Sequence, residues 1–569
     1  MKILLVATAF NSLTQRVFTA LRDRGHSVGV ELALGDDQVR EAVLRDAPDL
    51  VVAPMLTSAI PREVWEAVTC LVVHPGPLGD RGPSSLDWAV RDGARSWGVT
   101  VLQAEAEMDA GPVWASVPCP LAARGKSDLY RNEIADAALE AVLLAVARFA
   151  SGSHTPRSQD EPEVRAAVRT RPPMRQSDRR IRWESDPTET VLRTLRAADS
   201  QPGVLDELLG AEWFLHGGHR AHGLGGRPGE VVATRAGAIC RATADGAVWI
   251  PQLRPRRRPG GPRTYALPAV TALGERLAGV PEVPPPPHWG PGRREWSDIR
   301  YREIGATGFL SFTFPGGAMS TGQCRRLLAA YREACARPTA VLVLGGERDF
   351  FSNGIHLNVI EAAPDPAAES WANINAIDDL VQAVLTTTDR VVVAAVGGNA
   401  AAGGVMLALA ADEVWCRAGT VLNPHYRLMG LYGSEFWTYS LPRRVGEGVA
   451  TALTGQALPV SAEQGERIGL VDRVLPTPAE GFALQVVDLA TRWAATAGVQ
   501  ARIAAKKDDL DRREQAKPLS AYREEELARM HAIFFDPGHP YHALRRAFVH
   551  KETPAATPEH LRALAAARG

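Results

Sequence analysis

Between residues 281 and 294 the chain reads PEVPPPPHWGPGRR. Consecutive prolines hold φ near −65° and carry no N–H, so neither a helix interior nor a central strand runs through them. Whatever folds must fold on either side. Together with RPRRRPGGPR at 254–263, this sets residues 263–294 as an extended Pro/Arg-rich linker. The chain has 569 residues, and at about 150 residues per domain that is three to four domains rather than one core.

Upstream of the break, strand-like runs at 2–8, 50–53 and 70–74 alternate with helical patterns, and Ser12 is placed to cap the first helix. That alternation predicts an open α/β layer over residues 1–170. The first strand–helix turn, TAFNSLTQR, lacks GxGxxG, which removes the main support for a dinucleotide site. After a polar stretch at 152–176, one short helix around 188–197 and the runs EVVAT, GAICRAT and AVWIPQL predict a small β-rich module over 178–262. Downstream, GFLSFTF, AVLVLGG and VVVAAVGG read as strands of a second α/β domain over 295–485. A helical extension covers 486–569.

Lys+Arg 64 against Asp+Glu 65 leaves a net charge of −1. That argues against a basic nucleic-acid surface. The six cysteines show no CxxC pair, the apolar start MKILLVATAF reads as a strand rather than a secretory signal, and no run approaches the length of a membrane span. The expectation is a reduced, soluble, cytoplasmic, multidomain enzyme acting on small molecules, with oligomeric state left open. No metal site is expected: His216, His219 and His222 crowd a Gly-rich loop, but their spacing matches no standard zinc set.

Two segments carry chemistry. In the first, His74 ends a buried strand in VVHPGPLGDRGPSSLDWA, and Asp109 follows a later strand in AEAEMDAGPVW. Ligands of open α/β sheets lie at the carboxyl ends of the strands, so both residues reach one crevice. An imidazole beside a carboxylate suits proton transfer. A tight-turn histidine that only satisfies backbone groups is the competing reading. Asp80, Arg81 and Ser84 bring polarity into the same loop, and Arg81 and Ser84 are candidates for cofactor contact. The block resembles the 10-formyltetrahydrofolate-dependent formyltransferases in its HPG loop and its LDxG-type turn at Met108–Gly111, and 178–262 resembles their C-terminal barrel. The resemblance implies 10-formyltetrahydrofolate as formyl donor, His74 moving the proton and Asp109 orienting it. That family has Asn two residues before the histidine; this chain has Val72. Losing one oxyanion donor costs about 2.7–4 kcal/mol of barrier in a known hydrolase. Either another donor substitutes, or the acceptor is reactive enough to manage without it, as a thiol is.

In the second segment, two glycine-rich turns follow strands: GGERDFFSNGIH at 345–356 and AVGGNAAAGG at 395–404. Such turns aim backbone N–H groups at a single carbonyl oxygen. The pair resembles the enoyl-CoA hydratase/isomerase (crotonase) family. By position the resemblance makes Ile355 and Gly403 the oxyanion-hole N–H donors, with His356 and Gly404 candidates for contact with coenzyme A, and Asp412 matches the usual LAxxCD segment. An exposed loop histidine is an equally good account of His356. The two hydratase glutamate positions hold Met406 and Tyr426, so water addition to an enoyl-CoA loses its acid–base pair. Glu435, expected at the start of a helix near Ser434, is the remaining candidate acid or base. Its protonation is open between the helix-terminal field and its apolar neighbours. Helix capping is the competing account of Glu435, and Tyr426 and Tyr439 are candidate hydrogen-bond donors or structural aromatics.

The order formyltransferase, β-barrel (OB-like), crotonase-like α/β domain and helical tail, with AFVHK at 547–551, resembles the HypX/HoxX family of NiFe-hydrogenase maturation factors. The family implies formyl transfer from 10-formyltetrahydrofolate to coenzyme A, then decarbonylation of formyl-CoA to carbon monoxide. It also implies hydrogenase maturation proteins as partners. A related acyl-CoA enzyme of secondary metabolism and a non-catalytic assembly factor are the alternatives.

Overall fold

The computed structural model describes residues 1–285 and 295–562. They divide into two compact units. One comprises Met1–Gly260, Pro268–Val283 and the residues from Thr553 onward; the other comprises Gly261–Leu267 and Pro284–Glu552.

The first unit opens with a six-stranded sheet in the order Ser27–Leu32, Lys2–Ala7, Leu50–Ala53, Cys70–His74, Ser96–Gln103, Val113–Pro120. The first four strands are parallel and the last two antiparallel. Lys2–Ala7 is buried at five successive positions, as a parallel strand covered on both faces must be. Asn11, not Ser12, caps the first helix: its Oδ1 accepts the Thr14 N–H at 3.0 Å, and Ser12 is already helical.

The β-rich part of this unit is two four-stranded sheets. Val191, Leu192 and Leu195 of helix Thr188–Ala198 are buried in their shared core. Residues expected in the linker join that core. Strand Leu267–Pro268 pairs with Gln252–Pro255, and Ala269, Leu273 and Leu277 pack inside. The apolar spacing of 267–277 outweighs the prolines around it. Of the proposed linker, residues 286–294 lie outside the described residues, as do residues 563–569 of the proposed tail.

The second unit is built on a sheet in the order Ile299–Ile304, Thr307–Phe312, Val341–Gly345, Val391–Val396, Glu413–Arg417, Arg473–Leu475, parallel except for its first pair. A small second sheet joins Ala400–Ala401, Val421–Asn423 and Val460–Ser461. The helical region begins earlier than expected and is broken into Ala479–Ala494, Ala497–Ala516, Leu519–Phe535 and Pro540–Val549. Met530, Phe534 and Tyr541 from it enter the main core.

Beyond Glu552 the chain returns to the first unit. Thr557 Oγ1 accepts the Leu32 N–H at 2.8 Å and donates to Glu31 Oε1 at 2.5 Å, on the edge strand of the first sheet. Among the described residues no helix is long and apolar enough to cross a membrane.

Candidate functional site

Strand Cys70–His74 ends by delivering His74 into a loop that leaves the imidazole 5% exposed. Two carboxylates bracket the ring. Nε2 lies 3.0 Å from Asp80 Oδ2, and Nδ1 lies 3.5 Å from Asp109 Oδ1. Asp109 is therefore not alone beside the ring, and the shorter contact belongs to Asp80. Asp80 is fixed by the pairing of Asp80–Arg81 with Arg169–Thr170 and by Arg171, whose Nε donates to Oδ1 at 2.9 Å. Burial pushes this carboxyl up, but hydrogen bonds from His74, Ser85 and Arg171 outweigh it and hold it below the ordinary range.

Asp109 adopts a left-handed backbone at φ +58°, and its Oδ2 accepts the Gly82 N–H at 3.1 Å. Gly76 makes room for the pair: a Cβ there would overlap His74 Nε2 and stand 2.5 Å from Asp80 Oδ2. Val72 lies on the same strand face as His74, as residues two apart must, and offers no donor. The two expected cofactor contacts have protein partners. Arg81 donates to Glu107 and Gln159, each at 3.1 Å, and Ser84 Oγ accepts the Met174 N–H at 3.0 Å.

In the second unit the two glycine-rich turns converge. A Cβ on Gly354, at φ +75°, would lie 3.2 Å from the Gly403 nitrogen, so the Ile355 and Gly403 amides stand on adjoining turns. Glu435, 1% exposed, is laid over Gly403: a Cβ on that glycine would overlap its Oε1 and stand 2.5 Å from its Cδ. Tyr426 Oη donates to Glu435 Oε2 at 2.9 Å, as does the Ser434 N–H at 3.2 Å.

Burial pushes the Glu435 carboxyl up to about 8, assisted by the negative charge of Asp378 and opposed by the Tyr426 hydrogen bond. Of the influences acting on it, burial is the largest, and it favours the protonated acid. The helix-terminal field acts elsewhere, because the helix begins at Trp437 rather than near Ser434, and it is Glu526 that accepts the Phe436 and Thr438 N–H groups.

The other expected residues separate. Tyr439 lies under Arg443, with its hydroxyl 3.4 Å from Arg513 Nη1, outside the hydrogen bonds of Glu435. His356 is not an exposed loop residue. It is 4% exposed, burial brings its imidazole down to about 4, and its Nδ1 accepts the Val359 N–H at the start of helix Leu357–Ala362. Gly404 is required by packing, since a Cβ there would overlap the Ser352 carbonyl oxygen. Met406 is fully buried in the core. Asp378 and Glu526 escaped the sequence reading. Each is a carboxylate among apolar positions of a helix, the one signal that singles them out.

Comparison with known proteins agrees with this division. Residues 29–146 match the formyl transferase family, 173–262 the formyl transferase C-terminal domain, and 318–554 the enoyl-CoA hydratase/isomerase family. A methionyl-tRNA formyltransferase of Pseudomonas paraeruginosa is 29% identical over 233 residues, 40% of this chain and 72% of that one. The hydrogenase maturation factor HoxX of Bradyrhizobium diazoefficiens is 49% identical over 561 residues, 98% of this chain and 96% of its own. The crystal structure of HypX from Aquifex aeolicus in complex with tetrahydrofolic acid superposes with a TM-score of 0.93 at 42% identity. The match covers 99% of this chain and 98% of that one. With formyltransferase-like and crotonase-like domains carried in one polypeptide and near full-length similarity to both relatives, the chain belongs to the HypX/HoxX family of hydrogenase maturation factors.

Proposed function

We propose that this chain transfers the formyl group of 10-formyltetrahydrofolate to coenzyme A and decarbonylates the resulting formyl-CoA to carbon monoxide and CoA, supplying the CO ligand of a NiFe hydrogenase. The observation that carries the second step is one buried carboxyl, Glu435, lying on Gly403 where a hydratase would use two. A formyl thioester has no α-carbon, so no enolate forms. The net change breaks the formyl C–H and C–S bonds, forms an S–H bond and releases CO, so a proton passes from carbon to sulfur and none is consumed. One carboxyl suffices for that exchange. Glu435 gives its proton to the departing sulfur and takes the formyl proton in return, the Ile355 and Gly403 amides hold the formyl oxygen, and Tyr426 orients the carboxyl.

In the first step His74 accepts the thiol proton of CoA as the sulfur attacks the formyl carbon and gives it to N10 as the C–N10 bond breaks and tetrahydrofolate leaves, with Asp80 and Asp109 fixing the ring. A thiol ionises near pH 8.5, about the reach of an imidazole base, and tolerates the missing amide at Val72 better than an amine would. The tetrahydrofolic acid complex of the Aquifex aeolicus relative supports folate as the donor.

The test supplies 10-formyltetrahydrofolate carrying a 13C formyl carbon together with CoA and measures 13CO in the headspace. H74A is expected to block label transfer yet still decarbonylate added formyl-CoA; E435Q is expected to accumulate formyl-CoA. Wild-type protein that releases no labelled CO overturns the reading.

A further inference from the structure

Glu435 and Phe436 both have left-handed backbones, at φ +60° and +59°. Two such residues in succession, neither of them glycine, persist only when their surroundings hold them. Two helices provide the hold. From Pro366–Leu385, Asp378 accepts the Glu435 N–H through Oδ1 and the Ser434 hydroxyl through Oδ2, each at 2.8 Å. From Leu519–Phe535, Glu526 accepts the Phe436 N–H through Oε2 at 2.9 Å and the Thr438 N–H through Oε1 at 2.8 Å. Asp378 is 0% exposed and Glu526 is 1% exposed.

The pattern of acceptance differs among the three carboxyls. Asp378 and Glu526 accept on both oxygens, as a carboxylate does, and burial raises each of them to about 7 against about 8 for Glu435, so both ionise before it as pH rises. Glu435 takes both of its donors, Tyr426 Oη and the Ser434 N–H, on Oε2. Its Oε1, the oxygen over Gly403, is left to carry a proton.

We propose that Asp378 and Glu526 are positioning residues that clamp the Ser434–Thr438 backbone and aim Glu435 at Gly403, and that as pH rises they ionise ahead of Glu435 and their charge then keeps its proton in place. The inference deepens the proposed decarbonylation and rests on it for the role of Glu435. The remaining titratable groups around the cluster are Tyr426 on its turn, Cys324 on helix Thr321–Cys335, and Asp379 and Arg523 beside Asp378. Arg523 is paired with Asp379 at 2.6 Å, so its charge is already shared.

The test uses the full chain and the isosteric variants D378N and E526Q, each of which keeps one accepting oxygen. Infrared difference spectra follow the protonated carbonyl band of Glu435, assigned by its loss in E435Q, from pH 5 to 9. In wild type the band is expected to disappear around pH 8. Removing one neighbouring negative charge is expected to lower that midpoint by about one pH unit. CO release from formyl-CoA should follow, losing about fivefold at pH 8 and almost nothing at pH 6, as a one-unit change in midpoint dictates. A purely structural role lowers the rate equally at both pH values and leaves the band where it was. An unmoved midpoint in whichever variant folds, or no protonated band in wild type at pH 6, overturns the proposal. If wild type makes no CO, the decarbonylase reading fails while the band still decides the role of the clamp.

Discussion

Replacing Glu435 by glutamine tests the buried proton without any substrate. The folded carboxyl sits at about 8 against an ordinary 4.5. Below 4.5 both folded and unfolded chains hold the proton and nothing is lost. As pH rises between those values the unfolded chain releases a proton that the folded chain keeps, so stability falls; beyond 8 the loss is complete. At 1.36 kcal/mol per pKa unit the full loss is about 4–5 kcal/mol. Glutamine has the same shape and nothing to ionise. E435Q is therefore expected to match wild type near pH 5 and to exceed it progressively toward pH 8, raising the melting temperature of the second unit by several degrees. Calorimetry at pH 5, 6, 7 and 8 resolves this, because two units need not melt as one transition. If wild type and E435Q lose stability in parallel from pH 6 to 8, the carboxyl is already ionised and the acid role assigned to it is wrong.

G76A puts a methyl group into His74 and Asp80; formyl transfer to CoA is expected to fall by about 10²–10⁴, the worth of a positioned acid–base group, while decarbonylation of added formyl-CoA continues. D80N removes the shorter of the two carboxylate contacts to His74 and is expected to slow transfer more than D109N, a ranking that initial rates of labelled formyl-CoA formation will check. T557V leaves the Leu32 N–H and Glu31 Oε1 without the threonine hydroxyl; about 1–3 kcal/mol of stability should be lost, visible as a lower melting transition of the first unit only.

Residues near one another in sequence were the readable ones. His74 at a strand end and the two glycine-rich turns declared themselves through local pattern, and the resemblance to the hydratases singled out Met406 and Tyr426. Asp80 was visible only as loop polarity, because its place against His74 depends on pairing with Arg169–Thr170, about ninety positions away. Asp378 and Glu526 stand 57 and 90 positions from the backbone groups they hold, and helical periodicity treats each as one misplaced charge. Within the expected linker, residues 267–277 fold because their apolar spacing outweighs the prolines around them. The start of the helix after Glu435 was misplaced because two left-handed residues, neither a glycine, leave no compositional trace. His356 shows the opposite failing: a loop histidine reads as exposed until the helix it caps is seen to bury it.

The return of Thr557 to the edge strand Ser27–Leu32 bears on how the protein is made. The bond between Thr557 and Glu31 spans 526 positions. During synthesis at about 5–20 residues per second, the nascent first sheet spends on the order of half a minute or more with that edge uncovered and Glu31 lacking its threonine. Unpaired edges of this kind invite strand addition from other chains. The first sheet is thus made well before the residues that complete its edge.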